Sequence, residues 1–212
     1  MDTTEASKKI LKVLEKWAEE KHKLVIGLDG ITGVGKTTIA EYVANNNPKV
    51  ELIHIDDFMT PLKFRENEIN KLDDPTDFFI HNWFEYEDLR NIITKFRSGK
   101  IQKYQTLAYR NGKRDVPIEY DLNKSVLIIE GVLLFHAELI DDVWDKRIFL
   151  DGNEEEITKR RVIREKKRWG NKYIPESNSI SWSRFILPGL KKYQELYKPK
   201  EKADLVLEID TN

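Results

Sequence analysis

Residues Gly30 to Thr37 read G-I-T-G-V-G-K-T, a full match to the phosphate-loop pattern G-x-x-x-x-G-K-S/T. The apolar run Lys23 to Asp29 before it reads as a buried strand, and Thr37 to Ala44 after it carries apolar residues at helical spacing. Strand, glycine-rich turn and helix is the context this motif needs. The glycines let successive backbone N–H groups face a polyphosphate, and the helix N-terminus adds a favourable dipole. The expected triphosphate cradle is Gly30, Ile31, Thr32, Gly33, Val34, Gly35, Lys36, Thr37 and Thr38. Lys36 is expected to reach the β- and γ-phosphates, and the Thr37 hydroxyl to hold Mg²⁺.

The rest of the chain fits a sheet around that loop. Apolar runs at Val50–Ile55, Ser125–Glu130, Lys146–Asp151 and Ala203–Ile209 read as further strands. Helical periodicity covers residues 4–21, 84–97, 153–169 and 181–197, the last interrupted by Pro188-Gly189. Asn111-Gly112 marks a hairpin within residues 101–120, and the polar stretch 60–82, with Pro61 and Pro75, reads as a long loop. Strands alternating with helices predict one α/β domain over residues 1–212, a P-loop NTPase-type parallel sheet of about five strands with helices on both faces. A small β insertion is expected near 100–120 and a helical lid near 153–170.

Composition narrows the function. Lys plus Arg is 36 and Asp plus Glu is 37, so no whole-protein field exists to draw nucleic acid, and such a partner is disfavoured. No cysteine is present, which removes thiol catalysis and disulfides. No apolar run is long enough for a membrane span, and no signal-peptide core is visible, so the expectation is a cytoplasmic protein without a membrane partner.

In an open parallel sheet, ligands bind at the carboxyl ends of the strands. Asp29, Asp56 and Glu130 fall there. Asp29 can simply bond the loop backbone. Asp56 and Glu130 can take a proton from a substrate hydroxyl or help hold Mg²⁺. His54, two residues before Asp56, shares its strand face. Asp57 can support Asp56 or cap the turn. The run Lys159–Arg168 holds seven basic residues in ten, with Arg161, Arg164 and Arg168 on one helical face. A solvated face and an RNA patch remain alternatives. Beside a phosphate loop, a lid closing over ATP is the favoured reading. Trp83, Phe84 and Tyr86 read as core.

This ordered set resembles the uridine kinase, pantothenate kinase and ribosylnicotinamide kinase group of P-loop small-molecule kinases. The resemblance rests on Gly30–Thr38, I-H-I-D-D-F at Ile53–Phe58, I-I-E-G at Ile128–Gly131, R-R-V-I-R-E at Arg160–Glu165 and the closing strand near Lys202–Leu207. It implies ATP-dependent transfer to a hydroxyl of a small-molecule acceptor, a nucleoside or other riboside first, a pantothenate-like or other small alcohol second. It implies Asp56 as general base, with Lys36 and Arg164 at the transferred phosphoryl group and Arg160 and Arg161 on ATP. Glu130 would join Thr37 at Mg²⁺. Asp73 resembles the aspartate that holds ribose hydroxyls and Tyr104 the base-stacking tyrosine, with Arg110 and Arg168 completing the acceptor side. Uridine kinases follow that tyrosine with an aspartate and then a histidine; here Gln105 and Tyr109 stand in that segment. A guanine-reading N-K-x-D is missing, since Asn123-Lys124 is followed by Ser125-Val126, which counts against a GTPase switch. A homo-oligomer is left open.

Overall fold

The computed structural model describes residues 1–136, 140–170 and 182–210, with the side chains of residues 164, 165, 168, 169 and 183 outside that description. Two apolar runs become the centre of the sheet. All seven residues of β1 (Leu24–Gly30) and all five of β5 (Val126–Glu130) are buried, as strands covered on both faces must be. With β2 (Val50–His54), β6 (Lys146–Gly152) and β7 (Leu205–Ile209) they form a five-stranded parallel sheet in the order β2-β5-β1-β6-β7. Chain direction across the sheet reverses at β1, and the crevice at its carboxyl end is where such sheets take ligands.

The period-two pattern of β1 feeds two cores. Leu24, Ile26 and Leu28 pack with Ile10, Leu14 and Trp17 of α1 (Thr3–Glu20) and Ile39 and Val43 of α2 (Lys36–Asn46). A reciprocal capping box starts α1: the Glu5 amide donates to Asp2 at 2.8 Å and the Asp2 amide to Glu5 at 3.2 Å. On the opposite face Val25, Leu127 and Ile129 pack with Phe79 and Ile80, with Leu89, Ile92 and Phe96, and with Leu190 and Tyr193.

The stretch 60–82 is not a loop. It forms α3 (Leu62–Ile69) and α4 (Thr76–Asn82), followed by α5 (Tyr86–Ser98). Pro61 and Pro75 sit at the N-cap positions of α3 and α4, where a missing N–H costs nothing, so they introduce helices rather than break them. Pro188 likewise opens α7 (Leu187–Tyr197), preceded by a π-helical turn at Trp182–Ile186; residue 181 of the expected helix lies outside the described residues. The insertion is an antiparallel hairpin, β3 (Lys103–Arg110) and β4 (Lys113–Asp121), turned by Asn111 and Gly112 with φ of 51° and 89°. The charged helix is α6 (Glu154–Trp169), capped by Asn153, and the short α8 (Pro199–Lys202) leads into β7.

Below the loop, the buried Asp29 carboxylate accepts from the Gly30 amide at 2.6 Å, the Leu134 amide at 3.0 Å and the Tyr193 hydroxyl at 2.6 Å. Tyr193 in turn accepts from the Phe135 amide at 2.8 Å. Burial pushes the Asp29 carboxyl up, and Tyr193 and Lys36 oppose it. Tyr193→Phe leaves the Asp29 carboxylate and the Phe135 amide each short of a partner. It is expected to cost about 1–3 kcal/mol, read as a lower urea midpoint at an unchanged m-value.

Candidate active site

The turn into α2 is built on Gly35, whose φ of 105° is a left-handed conformation that a side chain would strain. No side chain caps α2, so the first-turn amides of Lys36, Thr37 and Thr38 lack intrahelical acceptors and face the crevice. Lys36 folds back over the loop, its Nζ donating to the Gly30 carbonyl at 2.9 Å and the Ile31 carbonyl at 3.0 Å. Burial pulls the Lys36 pKa down, while the charges of Glu130, Asp29 and Asp56 oppose that shift. A cavity of about 340 Å³ opens here, lined by Thr32, Gly33, Gly35 to Thr38, Asp56, Glu130, Gly131 and Val132.

Sheet register brings the acidic groups to this cavity. Glu130 ends β5 opposite His54 on β2. One carboxylate oxygen accepts from the Thr37 hydroxyl at 3.1 Å and pairs with His54 Nδ1 at 2.7 Å. That contact raises the His54 pKa. Beyond it, Gly131 turns the chain; a Cβ there would sit 2.0 Å from the Ile55 side chain, so the I-I-E-G motif ends in glycine for want of space. Asp56 lies in the 3-10 turn Ile55–Phe58 that follows β2. Water reaches it through the cavity mouth while protein crowds its other sides. That partial desolvation, followed by the Glu130 charge, raises its pKa, with Lys36 opposing.

Asp57 faces the other way. It is buried, paired with Arg110 and bonded by the Tyr120 hydroxyl at 3.3 Å. It fastens the hairpin to the Asp56 turn, and Arg110 is spent on that bond and on the Tyr109 carbonyl. Tyr104 packs on α5, accepting from Asn91 at 3.1 Å with the Lys95 ammonium 4.5 Å from its ring. Asp73 is exposed in the turn between α3 and α4. On α6, Arg160 is exposed, while Arg161 lies 3.9 Å over the Trp182 ring and close enough to lower the Lys36 pKa. Arg164 and Arg168 belong to the same helix, but their side chains lie outside the described residues. Trp83, Phe84 and Tyr86 pack in or against the core.

Sequence reasoning missed Arg65. It is 5% exposed on α3, between the Trp83 and Tyr109 rings. A lone arginine in a polar stretch carries no spacing signal that could have found it.

Among the described residues no helix is long and apolar enough to cross a membrane. No group of three or more His, Asp or Glu side chains there is arranged to hold a metal.

A family model described as "Phosphoribulokinase / Uridine kinase family" matches residues 25–208. The chain belongs to that family. Uridine-cytidine kinase A of Dictyostelium discoideum is 29% identical over 196 residues, covering 88% of this chain; the chain spans only 38% of that protein's length. Human nicotinamide riboside kinase 1 is 27% identical over 200 residues, covering 87% of this chain and 93% of the relative. In structure, the D-glycerate 3-kinase of Cryptococcus neoformans superposes with a TM-score of 0.70 at 13% identity, over 99% of this chain and 96% of that one, a likeness of fold. The sheet and the phosphate loop are thus those of a P-loop small-molecule kinase of the uridine kinase family.

The His54–Glu130 pair carries a pH signature. Because the folded His54 pKa lies above the ordinary 6.5, the pair's stabilisation is complete below about pH 6.5 and fades as pH rises through the folded value. The difference in melting temperature between wild type and His54→Asn should therefore shrink from about pH 5 to about pH 9. A difference constant across that range would sever the link.

Proposed function

We propose that this chain transfers the γ-phosphoryl group of ATP to a hydroxyl of a small metabolite, with a riboside as the leading acceptor and Mg²⁺ as the accompanying ion. The reading is carried by one observation: Lys36, Thr37, Asp56 and Glu130 line a single cavity at the mouth of the phosphate loop. The names of the relatives, a uridine-cytidine kinase and a nicotinamide riboside kinase, support a riboside acceptor. ATP, Mg²⁺ and such metabolites meet in the cytoplasm, the proposed location.

The residues fit these ligands. The exposed amides of Lys36 to Thr38 and the Lys36 ammonium supply fixed positive potential for phosphate oxygens. The Thr37 hydroxyl and the Glu130 carboxylate, 3.1 Å apart, are hard oxygen donors suited to Mg²⁺, an ion that takes few protein ligands. When bound there, Mg²⁺ would neutralise charge on the phosphates during transfer. His54 holds Glu130 in place.

Asp56 is the proposed general base. As the acceptor oxygen bonds to the γ-phosphorus, its proton passes to the Asp56 carboxylate. The bond from that phosphorus to the bridging oxygen breaks, and ADP leaves. A carboxylate with a raised pKa is a stronger base than an ordinary aspartate. The arginines of α6 are proposed to close over the triphosphate, with Arg160 and Arg161 on ATP and Arg164 on the transferred group. Asp73 and Tyr104 are the proposed contacts to ribose and base.

The test is ADP release across a panel of nucleosides, ribosides, pantothenate and sugars, with Asp56→Asn as the variant. The variant should lose about 10²- to 10⁴-fold in kcat. It should also melt at a higher temperature than wild type, because an ionised Asp56 beside Glu130 destabilises the folded state. In the wild type, kcat/KM should rise with pH through an acid limb whose inflection lies above the ordinary aspartate value of 3.8. Near wild-type transfer by Asp56→Asn would remove the base from this position.

A further inference from the structure

The buried guanidinium of Arg65 is the most anomalous charge among the described residues. Burial lowers its pKa. It has no carboxylate within ion-pair distance among the described residues. One terminal nitrogen donates to the Tyr109 hydroxyl at 2.5 Å, and the other has only the Met59 sulfur at 3.7 Å. Its Nε is buried with no partner. Guanidinium carries five N–H donors in a rigid fork, so most of its donor capacity is unspent. The faces of the group are held instead, by the Trp83 ring at 4.3 Å and the Tyr109 ring at 5.0 Å. Aromatic walls orient a fork without neutralising it.

The neighbourhood adjoins the turn that carries Asp56, the proposed base. Arg65 follows Asp56 by nine residues, across the 3-10 turn and into α3, and feels the Asp56 charge. Asp57, next to Asp56 in the chain, is taken by Arg110 and Tyr120. Tyr109, half-buried beside the register shift of the hairpin, reaches Arg65 from β3. Gln105 is bonded outward to Glu119 at 3.1 Å, on the exposed face of the hairpin. The end of β3 thus orients an arginine.

We propose that Arg65, positioned by Trp83 and Tyr109, binds an anionic group of the acceptor, so that the substrate is an alcohol bearing a carboxylate or phosphate as well as the hydroxyl presented to Asp56. A neutral carbonyl would fill a donor and leave the buried charge uncompensated. An oxyanion does both, and two of its oxygens match the fork. Acidic ribosides and small hydroxy acids or phosphorylated polyols share this chemistry. The proposal rests on the phosphotransfer reading above.

The test compares matched three-carbon acceptors, glycerol, D-glycerate and glycerol 3-phosphate, with uridine as the neutral riboside, using wild type, Arg65→Met and Arg65→Lys. ADP release gives turnover, and calorimetric titration of the protein loaded with Mg²⁺ and a non-hydrolysable ATP analogue gives binding without turnover. Wild type should favour at least one acidic alcohol over glycerol by about tenfold or more in kcat/KM, and whether glycerate or glycerol 3-phosphate leads distinguishes a carboxylate from a phosphate. Arg65→Met should raise KM for that acceptor about tenfold or more with a smaller change in kcat, and Arg65→Lys should recover part of the loss. An arginine there only for structure would destabilise the fold when replaced, whereas Arg65→Met, which removes an unneutralised buried charge, should melt no lower than wild type. Two results overturn the proposal: uridine or glycerol preferred by wild type with Arg65→Met unchanged in that preference, or acid binding indifferent to Arg65. Acid binding that needs Arg65 without ADP release from any acceptor would retain the anion site and sink the phosphotransfer reading instead.

Discussion

A single carboxylate under the phosphate loop fixes where the loop sits. Asp29 accepts from Gly30 at the start of the loop, from Leu134 after β5 and from Tyr193 on α7. A buried charge is tolerable only when its donors are all present, so these three segments must assemble together. The loop is thereby pinned from below by the sheet and from behind by a helix that arrives late in the chain. Lys36, within Coulomb reach of the same carboxylate, carries that constraint up into the crevice.

Above this anchor the site holds more negative charge than a stable protein would choose. The Glu130 charge adds to the cost of ionising Asp56, and Lys36 and His54 are among the groups that offset it. Such an arrangement trades stability for readiness: in the proposed reaction a bound cation would relieve the repulsion, so that ligand binding would stabilise the fold.

What could be read from the chain was what depends on local pattern. The buried runs of β1 and β5, the spacing of Gly30 to Thr37 and the Asn111-Gly112 turn each need only their own neighbours. Asp56 and Glu130 were legible as strand-end acids, because position at a carboxyl edge follows from the strand alone. Their company was not. His54 meets Glu130 only because β2 pairs with β5 and not with β1, a fact of register. The helices at Leu62–Ile69 and Thr76–Asn82 were hidden because Pro61 and Pro75 look like breakers until their cap positions are known. Arg65 was invisible for a different reason: its meaning lies in the partners it lacks, and a sequence does not show which charges go unanswered.

The strand order has a consequence for how the protein is made. Every ladder of the main sheet contains β5 or β6; β1 and β2, though first synthesised, never pair with each other. His54 waits 76 residues for Glu130. A nascent chain that has completed the glycine loop therefore still lacks the Leu134 and Tyr193 donors to Asp29, and the crevice is complete only after the middle of the polypeptide has threaded between its two earliest strands.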